Sequence, residues 1–412
     1  MEAADVVIVG GGPAGLAAAV ALRASGIERI LVLEREKRLG GILRQCIHDG
    51  FGLARFKESL SGPEYAKRFI DLVEAGGITC LTDTMVLDIS AEKRVIASSA
   101  KGIHEFEAKT IVLATGCRER PRGALTLPGD NPAGIYMAGV AQAYINLHNM
   151  MVGREAVILG SGDIGMIMAR RLTLEGATVR GVFEILPYTS GLSRNKRQCL
   201  DDFDIPLYLS HTVTKVRGSS RLEAVTVAEV DSDMRAIPGT EREIPCDTLI
   251  LSVGLIPENE VALGAGVELD PRTGGPLVDE HHQSTVPGIF SAGNALHVHD
   301  LVDYVSLEAE ELARSVALYL REGGLRHCGL SVSGDATVLN VLPQRISGKA
   351  DFVLSLRVKR PYGPCEIRVS QGGRVLKTRA LRKALPAEMI RLPMRASELV
   401  CEAALEVAVT LS

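Results

Sequence analysis

The sequence lacks the cysteine spacing of a metal site or of a disulfide framework. Its eight cysteines are far apart in the 412 residues, and no two of them form a C-x-x-C pair. This spacing argues against structural disulfides, a zinc site and a chain-borne iron–sulfur cluster. We therefore predict that the protein holds no metal and works in a reducing compartment, the cytoplasm.

The sequence also lacks an excess of one charge and any long uninterrupted apolar run. Its 46 basic and 50 acidic residues give a net charge of −4, and no block of like charge stands out. Nucleic acid and an anionic membrane are therefore not expected as partners. The longest apolar run, "VVIVGGGPAGLAAAVAL", is too short and too rich in glycine for a membrane span, and no basic segment precedes it as in a signal peptide.

A glycine-rich turn near the start of the chain predicts a dinucleotide-binding fold. A β-branched run at residues 6–9 leads into the pattern G-x-G-x-x-G, an Ala/Leu-rich helical stretch follows, and a second apolar run ends at Glu34. Gly10 permits the turn, Gly12 lets the backbone approach a pyrophosphate, and Gly15 lets the helix pack on the strand. The helix N-terminus attracts phosphates, and the acid can bond a ribose. The alternative is a packing turn between a helix and a strand.

The same pattern recurs about 150 residues later. The stretch "AVILGSGDIGMIMARRLTLEGATVRGVFE" places an acid, Glu184, 24 residues after its first glycine, Gly160, the separation also found in the first pattern. An acid at this position bonds a free ribose 2′-hydroxyl and repels a 2′-phosphate, so we predict NAD(H) rather than NADP(H). Arg180 would suit a phosphate, but it precedes the acid inside the predicted strand.

Further sequence segments that contain glycine favour FAD as the ligand of the first fold, and one of them predicts the last strand of the second fold. The segment "LGG" follows the first acid, "TIVLATG" (110–116) ends in another close-approach glycine, and "STVPGIFSAGN" (284–294) is a strand ending in small residues. "CDTLILSVGLIPENE" (246–260) has the pattern of a buried strand that closes the second fold.

The pieces "VGGGPAG", "VLATG", "LGSGDIG" and "GIFSAGN", in this order, resemble the pyridine nucleotide–disulfide oxidoreductase superfamily in its shorter, thioredoxin-reductase-like form. A closer resemblance rests on "GGILRQCIHDGFG", "LSGPEYAKRFID" and "QCLDDFDIPLYLSHTV". These segments are similar to the NAD/FAD subunit that accompanies glycerol-3-phosphate-dehydrogenase-like flavoproteins in anaerobic bacteria. Subunits of opine and sarcosine oxidases are more distantly similar.

The resemblance implies an α/β fold with two Rossmann-like dinucleotide-binding domains of the three-layer ββα type. A discontinuous FAD-binding domain would comprise residues 1–118 and 260–328, and the NAD(H)-binding domain, residues 119–259, would be inserted in it. Residues 329–412 lie outside the nucleotide pattern. Their short runs of alternating apolar and polar residues, separated by turns, predict a small, mostly-β C-terminal domain. Its basic residues mark either a solvated sheet face or a docking surface for a partner.

Cofactor-binding residues follow from the resemblance position by position. It implies that FAD is held by Gly10, Gly12, Pro13, Ala14, Gly15, Glu34, Arg35, Gly41, Ile42, Val86, Ala114, Thr115, Gly116, Gly293 and Asn294. It implies that NAD(H) is held by Gly160, Gly162, Asp163, Ile164, Gly165 and Glu184.

The sequence departs from the resembling proteins in two ways. Gly293-Asn294 stands where the superfamily usually has Gly-Asp, although an Asn carbonyl can still accept a bond from the ribityl chain of FAD. Residues 135–155 hold no cysteine, whereas thioredoxin reductases carry C-x-x-C before the second nucleotide motif. Cys46 has no second cysteine near it in sequence. Dithiol–disulfide chemistry is therefore not expected.

Three residues are candidates for catalysis beside the flavin. Cys46 lies five residues after the "GG" pair, near the position where thioredoxin-reductase-like proteins have a flavin-contacting threonine. His48, and His299 just before a helix predicted over residues 305–320, could stabilise charge or relay a proton. Each of the three could instead only shape the pocket or hold the backbone. No further ligands cluster in sequence around the H-x-H pair His297 and His299, so a metal is not expected there.

Without a disulfide, the simplest reaction is hydride transfer between NAD(H) and FAD. The leading hypothesis is an oxidoreductase subunit that exchanges electrons with a partner flavoprotein acting on a small substrate, such as glycerol 3-phosphate or a hydroxy or amino acid. A small cysteine-bearing iron–sulfur protein is a second expected partner, and an oligomer is expected. The alternatives are a stand-alone NADH oxidase or diaphorase and a non-catalytic flavin-binding scaffold.

Overall fold

The computed structural model describes residues 2–400 and 402–411, and its chain divides into two compact units. Unit 2 runs from Arg118 to Ile256, and unit 1 comprises the described residues on both sides of it. Met1, Cys401 and Ser412, which the predicted domain bounds include, lie outside the described residues. Strands and helices are numbered below in chain order.

Unit 1 is built on a seven-stranded sheet in the order β3-β2-β1-β6-β5-β4, with β17 also pairing with β6. The strands β1, β2, β3, β6 and β17 are parallel, whereas β4, β5 and β6 form an antiparallel meander. The strands are β1 (Glu2–Val9), β2 (Ile30–Leu33), β3 (Thr79–Leu81), β4 (Thr84–Ile89), β5 (Arg94–Ser99), β6 (Gly102–Leu113) and β17 (Ile289–Ser291).

Small side chains bring the first helix of unit 1 close to the sheet and to the last helix. Ala14, Ala17 and Ala18 of α1 are buried in the core that α1 shares with α2, α7 and one face of the sheet. The helix α7 includes the predicted span 305–320 and extends it at both ends. The helices are α1 (Pro13–Ala24), α2 (Gly62–Ala75), α6 (Glu260–Gly264) and α7 (Val302–Glu322), and short 3-10 turns lie at Gly41–Gln45 and Gly293–Ala295.

Unit 2 repeats the same plan with a five-stranded parallel sheet in the order β11-β10-β9-β15-β8. A three-stranded antiparallel sheet, β12-β13-β14, lies in sequence between β11 and β15 of this sheet. The strands are β8 (Ile135–Met137), β9 (Glu155–Leu159), β10 (Thr178–Glu184), β11 (Leu207–Leu209), β12 (His211–Gly218), β13 (Leu222–Glu229), β14 (Arg242–Pro245) and β15 (Thr248–Leu251). The helices are α3 (Ala138–His148), α4 (Asp163–Leu174) and α5 (Ser193–Cys199), and 3-10 turns lie at Arg122–Leu125 and Asp201–Phe203.

Two short strands, β7 (Cys117–Glu119) and β16 (Leu255–Pro257), form the connections between the units and pair with each other. Because unit 1 comprises residues on both sides of unit 2 in sequence, unit 2 is an insertion in unit 1. The alternation of parallel strands and helices in both units confirms the predicted α/β class.

The C-terminal part of unit 1 is a pair of sheets with a core of its own. One sheet has the order β20-β18-β25-β22-β23 and the other β19-β21-β24. Between them lies a cluster of buried apolar residues drawn only from this part of the chain. The strands are β18 (Leu330–Gly334), β19 (Val338–Leu342), β20 (Arg345–Ile346), β21 (Phe352–Val358), β22 (Cys365–Gln371), β23 (Arg374–Leu381), β24 (Ile390–Met394) and β25 (Leu405–Leu411), with a 3-10 turn at Ala396–Glu398.

This separate core supports the proposal that residues 329–412 form a domain of their own within unit 1. The turn between β22 and β23 is Gly372-Gly373, and both glycines have positive φ, +55° and +80°. Two residues of positive φ are what a tight two-residue hairpin requires. None of the described helices is both long and apolar enough to cross a membrane.

The C-terminal core can be tested with one buried and one exposed leucine. Leu354 on β21 is fully buried, whereas Leu339 on β19 is 40% exposed. We expect Leu354→Ala to lower the free energy of unfolding by about 2–5 kcal/mol, because it removes packed methyl groups and leaves a cavity. Leu339→Ala is the control and should change it by less than about 1 kcal/mol. Equal effects in denaturant titrations of the two variants would contradict this packing.

Candidate functional site

The glycine turn of unit 1 has the geometry that its sequence pattern predicts. Gly10 follows β1 with φ +110°, and its N–H donates to the Leu33 carbonyl at 2.8 Å. A Cβ at Gly10 would collide with the Ala114 carbonyl oxygen, and a Cβ at Gly15 would collide with the Gly10 oxygen. Both positions therefore exclude a side chain, the first at the turn and the second where α1 meets the strand.

Gly12 and Gly41 leave a strip of bare backbone at the start of α1. Gly12 is the cap residue of the helix and Pro13 is its first residue. A Cβ at Gly12 would lie 3.9 Å from the Gly41 Cα, and Gly41 has φ +54°. The first N–H groups of a helix have no partner within it and attract anions. The FAD pyrophosphate fits this cradle, because side chains at the two glycines would fill it.

Glu34 lies buried at the end of β2, where a ribose is expected. Its Oε2 accepts the Gly11 N–H at 2.7 Å, and its Oε1 accepts the Glu36 N–H at 2.8 Å. A carboxylate has about four lone-pair sites, so two of them remain for a ligand. A Cβ at Gly11 would lie 2.6 Å from Cδ2 of Leu39, so a side chain at this position would require the leucine to shift.

The other predicted FAD residues lie on the segments that border this turn. Arg35 and Ile42 are exposed, the latter at 54%. Val86 is buried in β4, two residues after Thr84, whose N–H donates to the Glu34 carbonyl at 2.9 Å.

The end of β6 approaches the glycine turn through the backbone. The Ala114 N–H donates to the Val9 carbonyl at 2.9 Å, and the Thr115 hydroxyl donates to the Glu258 carbonyl at 2.6 Å. Gly116 has φ +73°, a conformation that favours glycine. These bonds hold the predicted 114–116 segment beside Gly10.

The turn of unit 2 repeats the backbone geometry of the turn of unit 1. The Gly160 N–H donates to the Phe183 carbonyl at 2.7 Å, as Gly10 does to Leu33. A Cβ at Gly160 would collide with the Ser252 carbonyl oxygen, and a Cβ at Gly165 would lie 2.7 Å from the Ser252 Cβ. The backbone of this turn therefore fits a second dinucleotide as the first fits FAD.

The remaining predicted NAD residues stand at the start of α4. Gly162 is its cap and Asp163 its first residue. The Asp163 carboxylate accepts the Leu192 N–H at 2.8 Å and the Asn195 side chain at 2.7 Å. Ile164 follows on the helix and is half-buried. Asp163 thus binds the loop that follows β10 to the helix.

Glu184, buried at the end of β10, corresponds to Glu34. Its Oε2 accepts the Ser161 N–H at 2.9 Å and its Oε1 accepts the Leu186 N–H at 3.0 Å, so both backbone bonds of the first turn recur. Two serine hydroxyls, those of Ser161 and Ser190, donate to Oε2 as well, at 2.6 Å and 2.9 Å. The sequence pattern did not predict these additional donors.

A glutamate on α7, Glu308, holds the end of the third predicted FAD segment (284–294) in place. Glu308 Oε1 accepts the Gly293 N–H at 2.8 Å, and its Oε2 lies 2.7 Å from His297 Nε2 and 3.3 Å from His299 Nε2. Asn294 Oδ1 accepts the His299 N–H at 3.0 Å. The Asn294 carbonyl predicted to bond FAD is therefore partly engaged within the loop.

Burial and mutual contact set the charges in this group. Burial lowers the pKa of His297 to about 4, and neighbouring His299 acts in the same direction against the opposing effect of Glu308. Burial alone would raise the pKa of Glu308, but His299 and His297 outweigh it and hold that pKa well below its ordinary value. Glu308 is thus ionised and His297 neutral near pH 7. His299 also bonds the His297 carbonyl through Nδ1 at 3.0 Å, which favours a positioning role for this catalytic candidate.

Sequence reasoning missed three charged residues that hold the loops of this site. Glu308 is one, and Asp303, also on α7, accepts the N–H groups of Gly52 at 3.1 Å and Arg55 at 2.8 Å. Arg357 of the C-terminal part donates to the Val298 carbonyl at 3.1 Å and to Asp300 at 3.3 Å. The available signal was an acid on the apolar face of a helix, since Glu308 falls in step with buried Val305 and Leu312.

Comparison with known proteins identifies the family. The sequence pattern of the pyridine nucleotide-disulphide oxidoreductase family matches residues 4–310. The chain belongs to this family. The family uses FAD and a nicotinamide nucleotide, in agreement with the two dinucleotide turns of this chain.

Two curated relatives and one solved structure illustrate the similarity. Hydrogen cyanide synthase subunit HcnB of Pseudomonas aeruginosa is 28% identical over 70% of this chain and 65% of its own length. An opine oxidase subunit of Agrobacterium tumefaciens is 26% identical over 70% of this chain and 61% of its own length. The match thus spans less than two thirds of either relative. Thioredoxin reductase of T. acidophilum has the same fold, with a TM-score of 0.65 and 23% identity over 77% of this chain and 99% of that one.

The family is named for a disulphide, but the described cysteines of this chain do not form one. None of the seven cysteines in the described residues is in a disulfide bond, and Cys401 lies outside those residues. Two groups of three side chains could offer metal ligands within 4.8 Å of one another: Glu280, His281 and Cys328, and His297, His299 and Glu308. The shortest separation in the second group, 2.7 Å, is an ordinary hydrogen bond, so we assign no metal, and its expected absence stays a prediction.

Cys46 is packed against the start of α2 rather than beside a second thiol. The Gly62 N–H donates to the Cys46 carbonyl at 2.8 Å, and a Cβ at Gly62 would lie 2.8 Å from the Cys46 Cβ. The thiol donates to the Ile42 carbonyl at 3.4 Å. Burial raises the pKa of this thiol to about 12, and the ring of His48 lies 4.9 Å from that of Phe51. These contacts favour the interpretation of Cys46 and His48 as pocket wall.

The state of Cys46 can be measured by alkylation. Because only the thiolate reacts, a pKa of about 12 predicts labelling by iodoacetamide at pH 8 at least about a hundredfold more slowly than an ordinary cysteine. Quantitative mass spectrometry of the Cys46 peptide after timed exposure measures this rate. The same peptide in the denatured chain is the matched control. Labelling of native Cys46 as fast as in the denatured chain would disprove the burial.

Proposed function

We propose that the chain is an NAD(H)-linked FAD oxidoreductase subunit that exchanges electrons with a partner flavoprotein. The observation that carries this proposal is the repeat of one dinucleotide turn in two units, each with a buried acid at the end of the second strand. Glu34 serves the turn that we assign to FAD, and Glu184 the turn that we assign to NAD(H). FAD and nicotinamide together supply hydride transfer, and the chain's part is to hold and orient both.

The surroundings of Glu184 support NAD(H) over NADP(H). Its carboxylate is buried and would repel a 2′-phosphate on the ribose. Arg180, the nearby cation that could have bound such a phosphate, is paired with Glu155 at 2.6 Å. An arginine engaged in this way offers less to a phosphate, so we assign the unphosphorylated nucleotide.

The cysteine inventory supports a route for electrons that does not use a dithiol. No C-x-x-C occurs in the sequence, and Cys46 is held as a thiol by burial. The flavin must therefore exchange electrons with a group outside the chain as well as with NAD(H), and we propose that this group belongs to a flavoprotein dehydrogenase acting on glycerol 3-phosphate or a hydroxy or amino acid. A small iron–sulfur protein is the second proposed partner, and the cytoplasm is the proposed location.

Two features support a partner protein. HcnB and the opine oxidase relative both carry the word subunit in their names. The segment after Gly41 exposes the apolar side chains of Ile47 and Leu53, at 44% and 51%. Exposed apolar side chains next to a cofactor cradle suit a surface that a second protein covers.

The nucleotide assignment is tested by anaerobic titration of the purified FAD-loaded chain. We expect NADH to bleach the visible flavin absorbance, and NADPH to require at least about a tenfold higher concentration because of Glu184. Absence of bleaching with either nucleotide would contradict the proposal and favour a scaffold. Bleaching followed by fast turnover in air would favour a stand-alone oxidase instead.

The partner surface is tested with a matched pair of isoleucines. Ile47→Glu should leave NADH-driven bleaching intact but slow electron exchange with a co-purified flavoprotein about tenfold or more, because it places a charge on an apolar contact. Ile103→Glu, at a 64% exposed position at the start of β6, is the control and should change neither rate. Stopped-flow absorbance measures both steps. Equal rates for the two variants would remove this segment from the interface.

A further inference from the structure

The two dinucleotide turns differ in the side chains beside their acids. In unit 1 the Gly40 N–H donates to the Gly11 carbonyl, and in unit 2 the Gly191 N–H donates to the Ser161 carbonyl. Because the two bonds are equivalent, Gly11 corresponds to Ser161. Leu39 and Ser190, which directly precede the two donor glycines, correspond to each other as well. A glycine and a leucine next to one acid are thus replaced by two serines next to the other.

The replacement changes how many donors each acid has. Glu34 accepts two backbone N–H groups, from Gly11 and Glu36. Glu184 accepts the two corresponding N–H groups and also the hydroxyls of Ser161 and Ser190. Three of these donors, the Ser161 N–H and the two hydroxyls, converge on Oε2, which exceeds the roughly two lone-pair sites of one carboxylate oxygen, and the Leu186 N–H alone reaches Oε1. The oxygen Oε2 of Glu184 is therefore filled by its own chain, whereas each oxygen of Glu34 accepts a single donor.

The two serines also hold each other in place. The Ser190 N–H donates to Ser161 Oγ at 3.0 Å, and the two hydroxyl oxygens are 3.3 Å apart. The Gly191 N–H donates to the Ser161 carbonyl at 3.1 Å. Ser190 is thus held at the acid by its backbone as well as by its side chain.

We propose that Ser190, with Ser161, competes with the adenosine ribose for Glu184 and so weakens nucleotide binding in unit 2. This inference rests on the proposed NAD(H) function and names the residues that set the affinity of that site. A serine hydroxyl and a ribose hydroxyl make the same kind of bond to a carboxylate. A ribose hydroxyl that bonds Oε2 must therefore displace at least one serine, and much of the gain from the new bond is lost.

The different number of donors to the two acids matches the different lifetimes of the two bound cofactors. A flavin that stays bound gains from an acid with free acceptor sites. A nicotinamide nucleotide must leave after each turnover, so an acid with competing internal donors keeps its binding reversible. The same turn thus serves a resident and an exchanging cofactor through two side-chain positions.

The test is calorimetric titration of the full FAD-loaded chain with NAD⁺, ADP-ribose and nicotinamide mononucleotide. Ser190→Ala should lower the Kd of NAD⁺ and of ADP-ribose about tenfold, since the competing donor is gone. It should not change the Kd of nicotinamide mononucleotide, which lacks the adenosine ribose. Ser190→Thr, which keeps the hydroxyl, should retain the wild-type values. Ser193→Ala, three residues further on, is the control outside the group of donors.

The outcomes separate this inference from the function on which it rests. A Kd for NAD⁺ that rises or stays the same in Ser190→Ala, with wild-type binding intact, overturns the competition alone. A similar decrease for nicotinamide mononucleotide also overturns it, because the effect would not lie at the ribose. Failure of both wild-type and Ser190→Ala protein to bind NAD⁺ or ADP-ribose, with the flavin still bound, overturns the NAD(H) assignment and the inference together.

Discussion

The bond from a buried carboxylate to the backbone of a glycine turn is the interaction on which both nucleotide sites depend. Glu34 holds the N–H of Gly11, and Glu184 holds that of Ser161, each across the 23 residues of a strand–turn–helix–strand unit. A buried carboxylate needs such donors, because an unpaired charge away from water is costly. The acid therefore fixes the turn, and the turn fixes where the helix N-terminus and its phosphate-binding N–H groups lie.

Another buried carboxylate, that of Glu308, joins the third predicted FAD segment to helix α7 of unit 1. Glu308 anchors Gly293 and contacts His297 and His299, and Arg357 reaches the same loop from the C-terminal part of the chain. The loop beside the third FAD segment is thus held from two sides. The C-terminal part of the chain thus fixes the backbone of this loop through Arg357, while Glu308 orients the two histidines.

The sequence predicted the parts of the fold that are encoded within about 30 residues. Gly10 and Gly160 are required by backbone geometry, and an acid 24 residues later ends the second strand in each unit. The helix over residues 302–322 follows from its apolar period, apart from its ends. The role of Cys46 was left open between chemistry and packing, because the Gly62 backbone that packs against it belongs to a helix whose docking no local pattern specifies.

The sequence by itself determined the α/β class, the two dinucleotide turns and the absence of a C-x-x-C pair, because strand, turn and helix propensities act over short stretches of chain. Only the tertiary structure decided which side chains surround each acid. Ser190 reaches Glu184 through a folded-back loop, and Glu308 meets the two histidines through the docking of α7. Such contacts depend on how distant segments pack, and packing, unlike a glycine pattern, leaves no fixed spacing in the sequence.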